Sequence, residues 1–163
     1  MAQEKFSYEQ FLAAVLDEHD HAFVQDLHNY LLENGCKATF EEKKTGLLSS
    51  HKHTKTKKSV LNLLLKKHGL LVRIYGENID KYPDFLDTLS QEMVQSIDGA
   101  GVCKRLGGGE SKCVAKCSGY DFKIGDAHFQ RCRYNCFEFL VTPESAPYIR
   151  QFVENELSER NVV

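Results

Sequence analysis

Residues Thr39 to Tyr75 read TFEEKKTGLLSSHKHTKTKKSVLNLLLKKHGLLVRIY, and this stretch decides the fold. Thr39-Phe40-Glu41 leads to the turn residues Thr45-Gly46, then to Leu47 through His53, then to the polar cluster Thr54-Lys55-Thr56-Lys57-Lys58. The apolar run Val60 to Leu65 follows, and after Lys66-Lys67-His68-Gly69 a second apolar run extends from Leu70 to Tyr75 with Arg73 inside it. Glycine permits the positive φ that tight hairpins require, so the pattern predicts strands joined by turns, with a hairpin turning at His68-Gly69. The competing reading of Val60 to Lys67 is a short helix, because its leucines and asparagine lack β-branching.

Helical signals lie on both sides. Ser7 and Gln10 have the spacing of a capping box, in which each side chain satisfies an orphan amide of the first turn. Phe11, Leu12, Val15 and Leu16, then Phe23, Leu27, Tyr30 and Leu31, recur at three and four residues, and Asn34-Gly35 supplies a stop. The polar patch Asp17-Glu18-His19-Asp20-His21 interrupts the stripe, leaving one bent helix or two. Downstream, Pro83 suits a first helical turn, Leu86, Leu89, Met93 and Ile97 form one apolar stripe, and Gly99 ends it. Leu106-Gly107-Gly108-Gly109 reads as a loop. Tyr120, Phe122 and Ile124 alternate with polar residues, Gly125-Asp126 makes a two-residue turn, and Phe129 to Val141 reads as one long strand. A last helix follows Pro147, with Ile149, Phe152, Val153 and Leu157 inward. With no alternating strand-helix rhythm, the expected architecture is α+β: an antiparallel sheet flanked by N-terminal, middle and C-terminal helices, with a cysteine-rich loop. Residues 1–163 make a single domain, 1–35 its N-terminal helical segment and 103–136 its cysteine-rich loop and hairpin.

The 163 residues carry a net charge of −2, 42% apolar and 27% charged side chains, a globular composition too polar for a membrane protein. Met1 to Ser7 lacks the order of a secretory signal, and no run approaches the roughly 20 apolar residues that span a bilayer, so the expected location is the cytoplasm. The charge is unevenly placed. Lys43 to Arg73 holds nine Lys or Arg residues and no acidic one, so all 23 acidic side chains lie elsewhere. Clustered cations suit a phosphate or polyanion, with Lys52, Lys55, Lys57 and Lys58 as the candidate anion-binding residues. Bland solvation of a sheet face explains the same block, with lysines discouraging edge pairing. Only Tyr75 among nearby aromatics could stack on a base, which argues against single-strand recognition.

Six cysteines in a reducing compartment point to thiols or metal ligands rather than disulfides. Cys103, Cys113, Cys117, Cys132 and Cys136 cluster, while Cys36 stands apart. Structural zinc takes four ligands and favours thiolates, so Cys103, Cys113, Cys117 and Cys132 are the expected set. Residues four apart on a regular strand are about 13 Å apart, so Cys132 and Cys136 cannot both ligate one ion from a strand, and Cys136 is the alternative fourth ligand. Against zinc stand buried free thiols, an iron–sulfur cluster and redox chemistry. A thiol nucleophile at Cys113, Cys117 or Cys132 has cationic neighbours but only His128 as a nearby base. Arg105, Arg131, Arg133 and Tyr134, beside the cysteine-rich loop, are candidate contacts for a small anionic ligand or a protein partner. His19, His21 and His28 with Asp17 and Asp20 offer a second metal reading, with a solvated helix surface as the alternative. Gly107 to Lys112 lacks the order of a phosphate-binding loop.

Cys103-Lys104-Arg105-Leu106, Lys116-Cys117, Gly119-Tyr120-Asp121-Phe122 and Gln130-Arg131-Cys132-Arg133-Tyr134 together resemble a group of bacterial proteins sharing this C-terminal cysteine pattern. Lys67 to Gly76 is also similar to theirs. In the order of its elements the chain also resembles YdhG-like and YjbR-like small α+β domains. That resemblance implies a sheet with flanking helices and binding rather than catalysis. The likeness to the bacterial group implies no established activity, and only its cysteine positions carry over to this chain. The expectation is a binding domain with a structural Cys-ligated zinc; the rivals are a cysteine enzyme and a nucleic-acid or anion binder using Lys43 to Arg73.

Overall fold

A computed structural model describes residues 5–99, 119–132 and 137–162. The chain opens with two helices rather than one bent helix. Helix α1 (Tyr8–Ala14) starts at Ser7, whose hydroxyl accepts from Gln10 N while the Gln10 carboxamide oxygen accepts from Ser7 N, at 3.2 and 2.8 Å. Helix α2 (Glu18–Glu33) starts afresh because Asp17 caps it, accepting from Asp20 N at 2.9 Å. Between them Val15 is buried and Leu16 is turned out to solvent. Helix α2 presents Phe23, Val24, Leu27 and Leu31 to the core and ends where Gly35 takes φ +89°.

Strands β1 (Cys36–Lys43), β2 (Gly46–His53), β3 (Lys58–Lys66) and β4 (Gly69–Ile74) form three successive antiparallel hairpins. Val60 to Lys66 is therefore strand. Lys66 pairs with Gly69, so the third turn is Lys67-His68, one residue earlier than expected, and Gly69 (φ +138°) opens β4. Strand alternation sends Ser49, Leu63, Val72 and Phe139 to one face, where all are buried. That face meets the apolar stripes of α2 and of the last helix in one continuous core.

The expected single helix after Pro83 divides into α3 (Pro83–Leu86) and α4 (Gln91–Asp98). Side chains compete with the backbone at the break: Thr88 donates to Phe85 O at 2.6 Å, and Ser90 accepts from Met93 N at 3.3 Å to begin α4. Leu86, Leu89, Met93 and Ile97 are nevertheless all buried, as their spacing demands.

Strands β5 (Tyr120–Ile124) and β6 (Ala127–Arg131) make a separate two-stranded sheet about the Gly125-Asp126 turn. The long strand expected from Phe129 to Val141 does not form. After β6 the chain passes to another sheet, where β7 (Glu138–Leu140) pairs antiparallel with β4, giving the order β1-β2-β3-β4-β7. Phe137 makes this change of sheet: it sits at φ +41° with its ring fully buried, 5.0 Å from Tyr120 and 5.9 Å from Phe152. Helix α5 (Ala146–Asn161) closes the core through Ile149, Phe152, Val153 and Leu157. The architecture is α+β. No helix among the described residues is long and apolar enough to cross a membrane.

Candidate anion-binding site

The fold splits the basic block. Because β2 runs about 25 Å between turns, the cations of the β1–β2 and β3–β4 turns lie at one end of the sheet and those of the β2–β3 turn at the other. Lys43, Lys44, Lys66 and Lys67 occupy the first end, where Lys43 is paired with Glu41 at 2.6 Å. At the second end Lys37, Lys52, His53, Thr54 and Lys57 line an open cleft of about 210 Å³, with no acidic side chain in its wall among the described residues.

Local structure fixes this cleft. Lys37 and Lys52 are directly opposite each other in the β1–β2 register, an arrangement that like charges normally disfavour. Lys57 reaches the same space from a backbone at φ +59°. Thr54 anchors the turn to the end of α2: both its N–H and its hydroxyl donate to Gly35 O, each at 2.9 Å. His53 forms the floor and is buried. Thr56 N–H donates to its Nδ1 at 3.3 Å, which leaves the ring proton on Nε2 to bond Asn161 Oδ1 at 2.9 Å. The floor is thus tied to the end of α5. Among the described residues, Lys37, Lys52 and Lys57 form no ion pair.

Of the four lysines expected from sequence, Lys52 and Lys57 line the cleft. Lys58 is directed to a neighbouring cleft of about 270 Å³ and pairs with Glu77 at 3.4 Å; Lys55 is exposed and lines neither. Lys37, His53 and Thr54 were not expected. Lys37 lies beyond Glu41 and Glu42 in the chain, and only strand register brings it opposite Lys52.

Most of the expected metal and ligand residues, Cys103, Arg105, Cys113, Cys117, Arg133, Tyr134 and Cys136, lie outside the described residues. Cys132 is a half-buried free thiol just past β6. Arg131 is buried, with its guanidinium donating to Ile97 O at 3.1 Å and to Asp98 Oδ1 at 2.9 Å, over the Phe129 ring. Burial pushes the Cys36 thiol up to about 11, so this sulfur is not a thiolate at neutral pH.

The histidines of the second metal reading part company. Donor atoms of Asp17, His19 and Asp20 lie within 4.8 Å of one another on an exposed helix start. There Asp17 is engaged as the cap and Asp20 pairs with His19. His28 is elsewhere and buried, its Nδ1 3.0 Å from Nε2 of His51 and its ring stacked on Tyr8 at 3.9 Å. His51 was not singled out in the sequence, although its alternation with Ser49 and His53 put it on the inner face of β2.

Compared with family models, curated proteins and solved structures, the chain matches none, so the site is defined by its own residues.

Proposed function

We infer that this chain is a cytoplasmic, non-catalytic α+β binding domain that takes the phosphate or carboxylate of an anionic ligand between Lys37, Lys52 and Lys57. The observation that carries the reading is three ammonium groups without an ion pair, around one cleft without a carboxylate, among the described residues. The Lys37–Lys52 opposition costs stability in the free protein, and an anion between the two would offset that cost. Thr54 and His53 are held by their own hydrogen bonds, so the cleft exists before the ligand arrives. The engagement of Arg131 with Ile97 and Asp98 favours the lysine cleft over the arginine group beside the cysteine-rich segment.

Nucleic acid is the weaker ligand on this reading, because the two cationic ends are about 25 Å apart with the sheet between them. Phosphate and pyrophosphate titrations followed by amide NMR test the proposal. Saturable shifts should centre on Lys37, Lys52, Thr54 and Lys57, should vanish in Lys52→Ala/Lys57→Ala, and should persist in Lys66→Ala/Lys67→Ala at the opposite end. Shifts matching those from equal ionic strength of chloride would remove the anion site. A structural zinc on Cys103, Cys113, Cys117 and Cys132, with Cys136 as alternative, belongs to the same reading and rests on the clustering of thiols. It predicts about one equivalent of metal in the reduced protein, and elemental analysis finding none would discard it.

A further inference from the structure

The face of the five-stranded sheet opposite the core carries a second ordered feature. Leu48 pairs with Leu64, Leu64 with Leu71 and Leu71 with Leu140, so four leucines stand in one row across β2, β3, β4 and β7. None belongs to the core cluster; three are half-buried and Leu140 is 50% exposed. A parallel row on the same face, Thr39, Ser50, Asn62, Arg73 and Glu138, is polar, and its one strong charge pair, Arg73 with Glu138 at 2.8 Å, is satisfied internally. On the other side of the leucines the register places Lys43 opposite Gly46 and Lys66 opposite Gly69. Beside Gly46 a shallow notch of about 50 Å³ has Lys43, Lys66, Leu48 and Leu64 among its lining residues. Lys66, with Lys44 and Lys67 in the adjoining turns, forms no ion pair among the described residues.

We propose that this leucine row, with its lysine border, is the docking surface for an acidic amphipathic helix of a protein partner. Three inter-strand steps of about 4.8 Å make a row about 14 Å long, matching roughly ten residues of helix at 1.5 Å each. The 4.8 Å step is also close to the 5.4 Å helical pitch, so apolar residues at i, i+4, i+7 and i+11 would meet successive leucines. Carboxylates along one edge of that helix would face Lys66, Lys67 and Lys44. A second copy of this chain fits less well. Its lysine border would meet a like-charged border or a neutral polar row, and a single row of four leucines falls well short of the about 800 Å² per partner of a stable interface. An anionic membrane is broader than the row and would also cover Glu41, paired with Lys43, and Glu138, paired with Arg73, whereas a single helix lies along the leucines alone. This surface lies at the opposite end from the anion cleft, and the two can fail separately.

The test uses fluorescein-labelled 14-residue helical peptides with leucines at i, i+4, i+7 and i+11: one flanked by glutamates, one by lysines, and one a scrambled glutamate peptide. Anisotropy should show saturable binding of the ordered acidic peptide alone, weakening as salt rises. Leu71→Ser, on the half-exposed face, should weaken binding at least tenfold with an unchanged circular dichroism spectrum, and Lys66→Glu/Lys67→Glu should do the same at low salt. The proposal is overturned by several results: no binding of the acidic peptide, equal binding of the lysine or scrambled peptide, or indifference to Leu71→Ser. Concentration-dependent dimers that Leu71→Ser abolishes would assign the face to a second copy, and peptide-displaceable binding to phosphatidylglycerol vesicles would assign it to a membrane. Either would also overturn it.

Discussion

At 3.0 Å, His28 Nδ1 and His51 Nε2 hold a single proton between them, since two N–H groups cannot face each other so closely. Tyr8 and Phe40 wall the pair, and His51 is 1% exposed. Burial, with the neighbouring His28 adding to it, pushes His51 down to about 3; burial also lowers His28, against the pull of Glu9. A depressed histidine stabilises the fold fully above its unfolded value near 6.5 and loses that contribution as pH falls toward about 3, because only the unfolded chain takes up the proton. Glu156 has the opposite sign. Burial lifts it to about 7, so its contribution is present below the unfolded carboxyl value and is lost as pH rises through about 7. The two offset each other between about pH 4.5 and 6.5. Thermal unfolding at successive pH values should therefore find wild type nearly level across that window. His51→Asn, whatever its stability at pH 7, keeps the Glu156 contribution without that offset and should gain stability relative to wild type as pH falls from 6.5 to 4.5, by up to about 1.4 kcal/mol per pH unit. Parallel curves for the two proteins would show that His51 charges in the fold.

Among the elements, the hairpin turns were legible from glycine and the threonine–lysine cluster, whereas the leucines of Val60 to Leu65 left a short helix open and the pairing of β3 with β2 and β4 decided for strand. What escaped was set by contacts between distant residues. Nothing local in Phe129 to Val141 says that the chain must leave one sheet at Arg131 and enter another at Glu138; burial of Phe137 against Tyr120 and Phe152 decides it. The break at Thr88 and Ser90 was hidden by an apolar stripe that continues across it. The anion cleft was half legible: Lys52 and Lys57 stood in the basic block, whereas Lys37 needed the β1–β2 register. Two glycines separate the effects of backbone and space. Gly125 turns β5 into β6 at φ +57° with nothing near an added Cβ, so Gly125→Ala should cost only the left-handed penalty of about 1 to 2 kcal/mol. Gly46 lies at φ +147°, and a Cβ there would be 2.2 Å from Leu65 O, a backbone atom of the next strand. Gly46→Ala should cost more than about 3 kcal/mol in urea titrations, as overpacking adds to backbone strain. Equal midpoints for the two variants would mean that β2 and β3 can separate there without penalty.

The whole molecule is closed by the last turns of α5, which reach residues far away in sequence. Arg160 donates to Lys58 O, Ser59 O and Tyr75 O at 3.1, 2.9 and 2.9 Å, while Glu156 accepts from Asn78 N at 2.6 Å. These bonds fasten the helix to the start of β3, to the residue after β4 and to the 3-10 turn at Ile79–Lys81. No sequence pattern announced them, because a Glu and an Arg four apart on a helix usually form an exposed pair, whereas both are buried here. Their direct contact is long, 3.9 Å from Arg160 Nε to Glu156 Oε1, and each spends its shorter bonds elsewhere. The distances therefore decide between two accounts of the same residues. If the ion pair dominated, removing both partners would cost little more than removing one, and the coupling would reach about 2 to 3 kcal/mol. If each acts as a backbone clamp, Glu156→Gln should be the milder change, because glutamine still offers an oxygen to Asn78. Arg160→Met should cost about 3 kcal/mol or more by orphaning the three carbonyls it holds. The double variant should then come within about 1 kcal/mol of the sum. Urea unfolding of the four proteins measures the cycle, and a coupling above about 2 kcal/mol would make the ion pair, rather than the clamps, what holds α5 to the sheet.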